Sequence, residues 1–507
     1  MAKIVLIYPN FEPPVMYKKN DLRDTPGIPL GILSIASQLE KNKNQVKIID
    51  TRIIEGDPFK KIIKECQNAT IVGISAMTAQ VKNGLEISKL VKEKTKAKVV
   101  WGGIHSTLFP VQTCQNKYVD FVVVWEGEET ILELLKELKN KKNNFEKIKG
   151  LVFKKGNKTI KNESGDILDM NKLPYLNYKM VDLDRYLLKS MPKSEKKVKH
   201  LVIETSRGCP HRCTFCIHVV GNDQKYRAKS PENIIKELKL ILKKYDIKMI
   251  SFAGDNFFVN RKWVKELLTK LINENINLKW VAECRADYFR KGHIDSELLQ
   301  LMKKSGCAGF TIGAESGSQK ILDFLKKDIS IKNIKNSAKI CNKYGIAPSY
   351  SFITGIPGET KKDVKKTARL IIKLKKLCPD SFGGVGVFTP FPGGDLYDIT
   401  MKKGKLKKPK KLEDWAKKEY MSMMLTRAYK IPWNKNEKFM LNFSHYATLY
   451  FFSNLQLSRY IKRNFILGIG YAVFVILTRI RFKMLFFSLP IDKWLYEKAL
   501  NFFGYNI

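Results

Sequence analysis

Hydrophobic residues follow two alternating patterns along the first 140 residues. Short runs of β-branched residues alternate with stretches in which apolar residues recur every three or four positions. The predicted strands of this part are Ile4–Tyr8, Val46–Asp50, Ile71–Ser75, Val99–Trp101 and Phe121–Val124. Strands alternating with helices indicate a parallel, doubly wound Rossmann-like α/β sheet, which binds ligands at the carboxyl ends of its strands.

The alternation stops and then returns. From Gly150 to about Lys199 the periodicity is lost, and a predicted hairpin, Gly150–Ile160, leads into a polar connector that contains proline. Six further strand-and-helix units follow, with strands at Leu201–Glu204, Met249–Phe252, Leu278–Ala282, Gly309–Gly313, Ser349–Ile353 and Gly384–Phe388. Six such units predict a partial (β/α)6 barrel of the TIM type.

The end of the chain differs in composition. Residues 402–411 are rich in lysine, and in the aromatic, helix-like region after them Phe465–Thr478 is the most apolar run. Because a membrane span needs about 20 apolar residues, this run predicts a packed core helix, with contact of residues 465–491 with a membrane surface as the alternative. The predicted domains are residues 1–145, a hairpin and linker at 146–195, the barrel at 196–400 and a helical region at 401–507.

The formal net charge of +43 comes mostly from lysines spread along the whole chain. They indicate a solvated surface first, but their field favours anionic partners. The chain opens directly with a predicted strand rather than a signal peptide, so we expect a reducing cytoplasm. In that compartment clustered cysteines favour metal binding or redox chemistry over disulfides.

Three of the nine cysteines, Cys209, Cys213 and Cys216, lie within eight residues after the first predicted barrel strand. Three thiolates on one loop can bind three irons of a [4Fe–4S] cluster, which ordinarily has four cysteine ligands. The fourth iron is then open to chelate a substrate. A structural zinc site is the alternative, with His211 or His218 as its fourth ligand.

The spacing Cys-x-x-x-Cys-x-x-Cys in this loop resembles the radical S-adenosylmethionine superfamily. The resemblance implies that the three cysteines hold a catalytic cluster, that its open iron binds S-adenosylmethionine, and that reductive cleavage gives methionine and a 5′-deoxyadenosyl radical. Further motifs of the family follow in order. The cofactor-binding residues implied by these motifs are Phe215, Gly254, Asp255, Arg285, Glu315, Ser316 and Gly355. Asp255 could instead cap a helix, and Arg285 could instead pair with a carboxylate.

The first domain resembles cobalamin-binding domains. Ser75 follows one predicted strand and Gly102-Gly103 follow the next. The resemblance implies that these residues lie against the nucleotide tail of cobalamin, where glycine permits close approach. His105, just after the glycine pair, is expected to touch this tail or to cap a helix rather than to ligate cobalt. The early loop Asp21–Gly31 contains no histidine, so we expect no axial histidine on cobalt. A generic doubly wound domain is the alternative.

This domain order implies an enzyme of the class B radical methyltransferase type, in which methylcobalamin donates a methyl group to a carbon activated by the deoxyadenosyl radical. Relatives with the same order, including the anaerobic Mg-protoporphyrin ester cyclase and enzymes that modify hopanoid lipids, support an alternative: cyclisation or C–C bond formation on a tetrapyrrole, isoprenoid or lipid.

Two further alternatives explain less of the sequence. A methylthiotransferase holds a second cluster on three amino-terminal cysteines, but only Cys66 and Cys114 precede the linker. A noncatalytic cobalamin sensor or nucleic-acid-binding protein leaves the cysteine triad unexplained. The expected partners are an electron carrier such as ferredoxin or flavodoxin and a small-molecule or lipid substrate, without nucleic acid. The expected location is the cytoplasm, with membrane association as the alternative.

Overall fold

The computed structural model describes residues 1–11, 26–140, 144–190, 197–217, 225–424, 431–463 and 465–502. The chain divides into two compact units. The first comprises Met1–Lys189, Phe391–Gly393 and Lys407–Ala428, and the second comprises Ser190–Pro390, Gly394–Leu406 and Tyr429–Ile507.

Strands and helices are numbered in chain order. The strands are β1 (Lys3–Tyr8), β2 (Gln45–Asp50), β3 (Ile71–Ser75), β4 (Lys98–Gly102), β5 (Phe121–Val123), β6 (Leu151–Lys155), β7 (Lys158–Lys161), β8 (Leu188–Ser190), β9 (Lys197–Glu204), β10 (Ser206–Arg207), β11 (Arg227–Ala228), β12 (Met249–Ala253), β13 (Lys279–Cys284), β14 (Cys307–Glu315), β15 (Ala347–Thr354) and β16 (Phe382–Val387). The helices are α1 (Leu30–Lys41), α2 (Pro58–Cys66), α3 (Val81–Lys94), α4 (Ile104–Leu108), α5 (Pro110–Gln115), α6 (Thr130–Asn140), α7 (Asp184–Leu187), α8 (Pro231–Leu242), α9 (Arg261–Asn273), α10 (Ser296–Lys304), α11 (Gln319–Phe324), α12 (Ile331–Tyr344), α13 (Lys361–Leu377), α14 (Asp395–Lys403), α15 (Lys418–Met424), α16 (Glu437–Arg463), α17 (Phe465–Met484) and α18 (Ile491–Phe502).

The first unit is built on a sheet of seven strands in the order β2-β1-β3-β4-β5-β6-β7. The first five strands pair in parallel, and the order reverses between β1 and β3. The middle residues of β1, β3 and β5 are buried, so these strands read as continuous hydrophobic runs. The predicted doubly wound sheet is confirmed, and its switch point places a ligand crevice at the carboxyl ends of the strands.

The hairpin predicted in the connector extends this sheet. β6 pairs antiparallel with β5, and β7 pairs antiparallel with β6. The rings of Phe121 and Phe153 both pack edge-on against Phe145, with centroids 5.0 and 5.6 Å apart. Local periodicity predicts a hairpin but not its neighbour, because the strand it joins is distant in sequence.

The second unit has six parallel strands in sequence order, β9, β12, β13, β14, β15 and β16. Each predicted barrel strand occurs at its expected place. The predicted partial (β/α)6 barrel is confirmed. Its strands carry the ligand-facing loops at their carboxyl ends.

Polar side chains fix where the barrel helices begin. A side-chain oxygen of the N-cap residue accepts a hydrogen bond from the backbone N–H three positions later. These N-cap residues are Ser230 (α8), Asn260 (α9), Asp295 (α10), Ser330 (α12) and Thr360 (α13). The loops between strands and helices therefore end at defined residues.

The carboxy-terminal region is divided between the units. Lys407–Ala428 belongs to the first unit. There the indole Nε1 of Trp415 donates a hydrogen bond to Oε1 of Gln112, with 2.7 Å between the two atoms. In the second unit α16 packs on β16, and α17 packs on α16. The sequence predicts one region at 401–507. Leu412 and Trp415, which are buried in the first unit, follow a lysine-rich stretch that gives no sign of their burial. Among the described residues, none of the helices has both the length and the apolarity needed to cross a membrane.

Candidate cofactor sites

The three cysteines lie on one loop that starts just after β9. β10 and β11 pair antiparallel and close the base of this loop. Cys213 is buried and Cys209 and Cys216 are partly exposed, all three outside any disulfide, and the backbone N–H of Cys216 donates to the carbonyl of Cys213 at 3.0 Å. His218, the second candidate for a zinc ligand, lies outside the described residues.

The donor set fits an iron–sulfur cluster. Among the residues that the structure describes, no three His, Cys, Asp or Glu side chains converge closely enough to share one metal ion. A cubane cluster makes no such demand, because each thiolate binds a different iron. Three thiols on one short loop can therefore hold it without converging on a point.

Two cations surround the buried Cys213. Burial raises the pKa of the Cys213 thiol, and the charges of Lys327 and Arg285 oppose this shift. Lys327 Nζ lies 2.8 Å from Glu315 Oε1 and 5.7 Å from the centre of the Phe215 ring. These cations stabilise a thiolate and the negative charge of a thiolate-bound cluster. No sequence motif pointed to Lys327, which is one of many lysines in this chain.

Arg285 holds Lys327 in position. Its Nη2 donates a hydrogen bond to the carbonyl oxygen of Lys327 at 2.6 Å, and its Nε donates one to the Asp287 carboxylate at 3.0 Å. The pairing with a carboxylate is the alternative considered for Arg285 from the sequence. Its predicted contact with cofactor remains a prediction.

A second network reaches Cys209. Asn256 Nδ2 lies 3.9 Å from Cys209 Sγ and donates to the Tyr288 hydroxyl at 2.8 Å. His211 Nε2 lies 2.9 Å from the same hydroxyl, and the Tyr288 ring stacks on His293 with centroids 4.3 Å apart. Hydrogen bonds to cluster sulfurs tune the reduction potential. The sequence gives no indication of Tyr288, which lies 79 positions from Cys209 in a segment without a motif.

Gly254 and Asp255 hold the start of the cysteine loop. A Cβ on Gly254 would lie 2.1 Å from the hydroxyl oxygen of Ser206, so a larger residue there would force this hydroxyl to move. Asp255 Oδ2 accepts a hydrogen bond from the backbone N–H of Gly208 at 2.6 Å. Gly208 has a φ of 81°, in the left-handed region. Both residues therefore shape the loop, and their contact with S-adenosylmethionine stays a prediction.

Glu315 and Ser316 end β14 at an irregularity. The register with β15 shifts between Gly313 and Glu315, and Glu315 has a φ of 56°. This strained backbone turns the carboxylate toward Lys327. Ser316 is fully buried, and its hydroxyl accepts from the backbone N–H of Ser318 at 3.2 Å. Glu315 thus joins the charges beside Cys213, whereas Ser316 stabilises the next turn.

Gly355 lies in a turn that a buried carboxylate stabilises. Glu359 accepts hydrogen bonds from the backbone N–H of Gly355 at 2.7 Å and from the Thr354 hydroxyl at 2.9 Å. Burial raises the pKa of Glu359 to about 7. The Trp433 indole donates to the carbonyl of Gly355 at 2.6 Å. The sequence motif predicts Gly355 but not Glu359 and Trp433, the two side chains that position it.

In the first unit, Ser75 and Gly102 are register partners at the carboxyl ends of β3 and β4. The nearest atom to a Cβ on Gly102 would be 3.8 Å away, whereas a Cβ on Gly103 would lie 2.9 Å from Ala76 N and from Ser75 Oγ. Gly103, with a φ of 84°, is therefore required by packing within the protein. Gly102 leaves an open backbone surface at the carboxyl edge of the sheet, as close approach of a cofactor requires.

His105, predicted to touch the nucleotide tail or to cap a helix, lies in the core of the first unit. It is fully buried, its Nδ1 lies 3.2 Å from the Thr78 hydroxyl, and Nε2 has no hydrogen-bond partner among the residues described. Its ring packs against Phe109 and Trp415, with centroids 5.4 and 5.3 Å away. Burial lowers the pKa of His105 to about 3, so the ring is neutral. The structure places His105 in the core, beneath Trp415.

Cys66 and Cys114 are buried in the first unit. Burial raises the pKa of Cys66 to about 12 and that of Cys114 to about 11. They are neutral thiols in the core. The early loop Asp21–Gly31, named for its lack of histidine, lies partly outside the described residues.

Two protein-family models match the chain. The Radical SAM superfamily matches residues 203–371, and the B12 binding domain matches residues 23–135. An uncharacterized methyltransferase of Pyrococcus horikoshii is 30% identical over 407 residues, which cover 79% of this chain and 83% of that protein. This chain belongs to the radical S-adenosylmethionine superfamily.

Other relatives of this radical S-adenosylmethionine protein share its domain order. An anaerobic magnesium-protoporphyrin IX monomethyl ester cyclase of Synechocystis is 22% identical, over 80% of this chain and 78% of that protein. The cobalamin-dependent S-adenosylmethionine radical enzyme OxsB, solved with aqua-cobalamin and S-adenosylmethionine, superposes with a TM-score of 0.69 at 17% identity, over 99% of this chain and 75% of that one. The methyltransferase TsrM from Kitasatospora setae superposes with a TM-score of 0.62 at 17% identity. The match covers 80% of this chain and 75% of that one. At this identity the two structures show the shared fold.

The family matches confirm the predicted family, enzyme class and cofactor classes. The radical S-adenosylmethionine match spans the triad and all seven residues predicted to bind S-adenosylmethionine. The B12-binding match spans Ser75, Gly102, Gly103 and His105. The roles of the individual residues remain predictions.

Proposed function

We propose that this chain is a cobalamin-dependent methyltransferase that acts on an unactivated carbon. The observation that carries the proposal is the presence, in one chain, of a cysteine loop beside buried cations and a separate sheet that matches B12-binding domains. The methyltransferase from Pyrococcus horikoshii, 30% identical over most of both chains, supports it.

Cys209, Cys213 and Cys216 hold the cluster in this proposal. When bound, the cluster supplies the electron that cleaves S-adenosylmethionine, and cobalamin supplies the methyl group. Lys327 and Arg285 offset the negative charge on the cysteine loop. Phe215, Gly254, Asp255, Glu315, Ser316 and Gly355 orient S-adenosylmethionine.

The carboxyl edge of the first sheet receives cobalamin. Ser75 and Gly102 present a small side chain and bare backbone there, and Gly103 keeps that edge in shape. His105 supports the edge from within the core and does not ligate cobalt.

Methyl transfer from labelled S-adenosylmethionine tests the proposal. The chain, loaded anaerobically with iron, sulfide and cobalamin, is incubated with a reductant and an extract of cells that lack the gene. We expect 5′-deoxyadenosine and a product that carries the labelled methyl. Cys213→Ala should abolish both, whereas Cys307→Ala, at a thiol outside the triad, should retain both. Zinc in place of iron, or deoxyadenosine without any labelled product, contradicts the proposal.

A second candidate outcome is ring closure or C–C bond formation on a tetrapyrrole or lipid. The cyclase from Synechocystis, which matches 80% of this chain, supports it. The same experiment separates the two, because ring closure or C–C bond formation gives 5′-deoxyadenosine and a product without the labelled methyl.

The partners follow from charge and composition. With a net charge of +43, the chain attracts an acidic electron carrier such as ferredoxin or flavodoxin. Its substrate is a small molecule or lipid, and its location is the cytoplasm. The aromatic and basic carboxy-terminal region contacts a membrane surface as a peripheral protein.

A further inference from the structure

The outer side of α17 is apolar and exposed. Its large side chains on this side recur every three or four residues, and each is between 46% and 69% exposed. They are Ile469, Val473, Ile476, Ile480 and Met484. We call these five residues the outer stripe.

The opposite side of α17 is anchored in the second unit. Its buried residues are Tyr471, Phe474, Val475, Thr478 and Phe482. The Phe482 ring stacks on Tyr450 of α16, with centroids 4.2 Å apart. These contacts fix the rotation of the helix about its axis, so the outer stripe faces away from the fold.

The bend after α17 and the start of α18 expose further apolar side chains: Phe486, Leu489, Ile491, Trp494 and Leu495. Arg481 ties the two helices together, since its Nε donates to Asp492 at 2.9 Å. The Lys498 ammonium lies 4.2 Å from the centre of a Trp494 ring. An exposed apolar surface of this extent marks an interaction site.

Charge indicates the partner. Residues 465–502 contain five lysines and arginines against two acidic residues, and Arg479 and Lys483 are exposed on α17 itself. A second copy of this chain carries the same charge of +43 and is repelled. An anionic lipid surface offers apolar chains for the stripe and negative headgroups for the basic residues.

We infer that α17, the bend and α18 dock on the surface of an anionic bilayer, with the outer stripe among the acyl chains and Arg479 and Lys483 at the headgroups. This inference rests on the membrane contact proposed above and is independent of methyl transfer. It places the enzyme where an apolar substrate held in the bilayer is within reach.

Sedimentation of the full chain with vesicles tests the inference. We expect binding to phosphatidylcholine vesicles that contain phosphatidylglycerol, weaker binding to phosphatidylcholine alone, and release as salt rises. Ile476→Ser with Ile480→Ser should weaken binding about tenfold or more, since each side chain loses most of its apolar burial. Leu240→Ser, at an exposed leucine on α8, should bind as the parent does.

The outcomes separate this inference from the proposed function. Vesicle binding needs neither S-adenosylmethionine nor substrate, so a failure of methyl transfer leaves it intact. Cleavage of S-adenosylmethionine in solution should be the same in the double variant and the parent. Absence of vesicle binding, or equal binding by the double variant, overturns the inference. So does self-association of the parent in place of vesicle binding, abolished by the double variant.

Discussion

The carboxyl edge of the first unit's sheet and the cysteine loop of the second unit differ in the size and the charge of their side chains. Around Gly102 the residues are small, and the nearby histidine is buried and neutral. Around Cys213 they include a largely buried cation, Lys327, paired with the buried carboxylate of Glu315. The difference corresponds to the cofactors: a large preformed molecule needs shape, whereas an anionic cluster needs thiolates and compensating charge.

Removal of a cluster ligand tests this comparison with the largest effect. Cys213→Ala should abolish cleavage of S-adenosylmethionine, because a cluster held by two cysteines on a loop is labile. Cobalamin binding, measured by its visible absorption after gel filtration, should be unchanged. Loss of cobalamin as well would show that the two units do not hold their cofactors separately.

Removal of the buried cation should mainly affect stability. Lys327→Met leaves Glu315 buried without its partner and should lower the free energy of unfolding by about 3–5 kcal/mol. Lys326→Met is the matched control: its pair with Asp395 is largely exposed, so the change should stay below about 1 kcal/mol. Denaturant titration measures both, and equal effects would contradict the role of Lys327.

The two units should respond to pH in opposite directions. The pKa of Glu359 is raised from 4.5 to about 7, so the second unit loses stability as the pH rises through this interval. The pKa of His105 is lowered from 6.5 to about 3, so the first unit loses stability as the pH falls below 6.5. Each effect amounts to about 1.4 kcal/mol per pH unit. The free energy of unfolding, measured at several pH values, tests both effects. Glu359→Gln should remove the loss of stability with rising pH, and His105→Gln should remove the loss with falling pH. An unchanged pH dependence in either variant would contradict the comparison.

Two adjacent glycines separate packing from cofactor binding. Gly103→Ala should destabilise the first unit by about 1–3 kcal/mol, because of its positive φ and the Ala76 backbone. Gly102→Ala should change stability by less than about 0.5 kcal/mol yet weaken cobalamin binding about tenfold, if backbone and cofactor touch there. Calorimetry and equilibrium dialysis measure the two quantities, and normal binding by Gly102→Ala would exclude that contact.

The smallest effect concerns the network at Cys209. Tyr288→Phe removes a hydroxyl that positions Asn256, so the cluster potential should fall by about 40 mV, equivalent to about 1 kcal/mol for one electron. A redox titration followed by electron paramagnetic resonance measures it. Tyr344→Phe on α12 is the control. If the cluster potential is unchanged in Tyr288→Phe, the network has only a structural role.

Local signals were sufficient for the skeleton of this fold. The strands of both units were predictable because buried parallel strands read as short β-branched runs. The triad could be proposed from the sequence because its three cysteines are neighbours there. Phe215, Arg285 and Glu315 were named from motifs, and the structure brings all three to Lys327, a residue without a motif.

What local signals missed lies in contacts between distant segments. Tyr288 is 79 positions from Cys209, and Trp433 is 78 from Gly355. The hairpin β6–β7 pairs with β5, and Trp415 contacts Gln112. The sequence does not mark either pair as neighbours.

The sequence by itself determined the family and the two sheets, and it predicted the three cluster ligands, because periodicity and close spacing express these features within short windows. The tertiary structure alone decided which charges surround Cys213, that His105 lies in the core, and that α17 turns an apolar stripe outward. Those properties depend on burial and distance in space, and neither can be read from the order of residues.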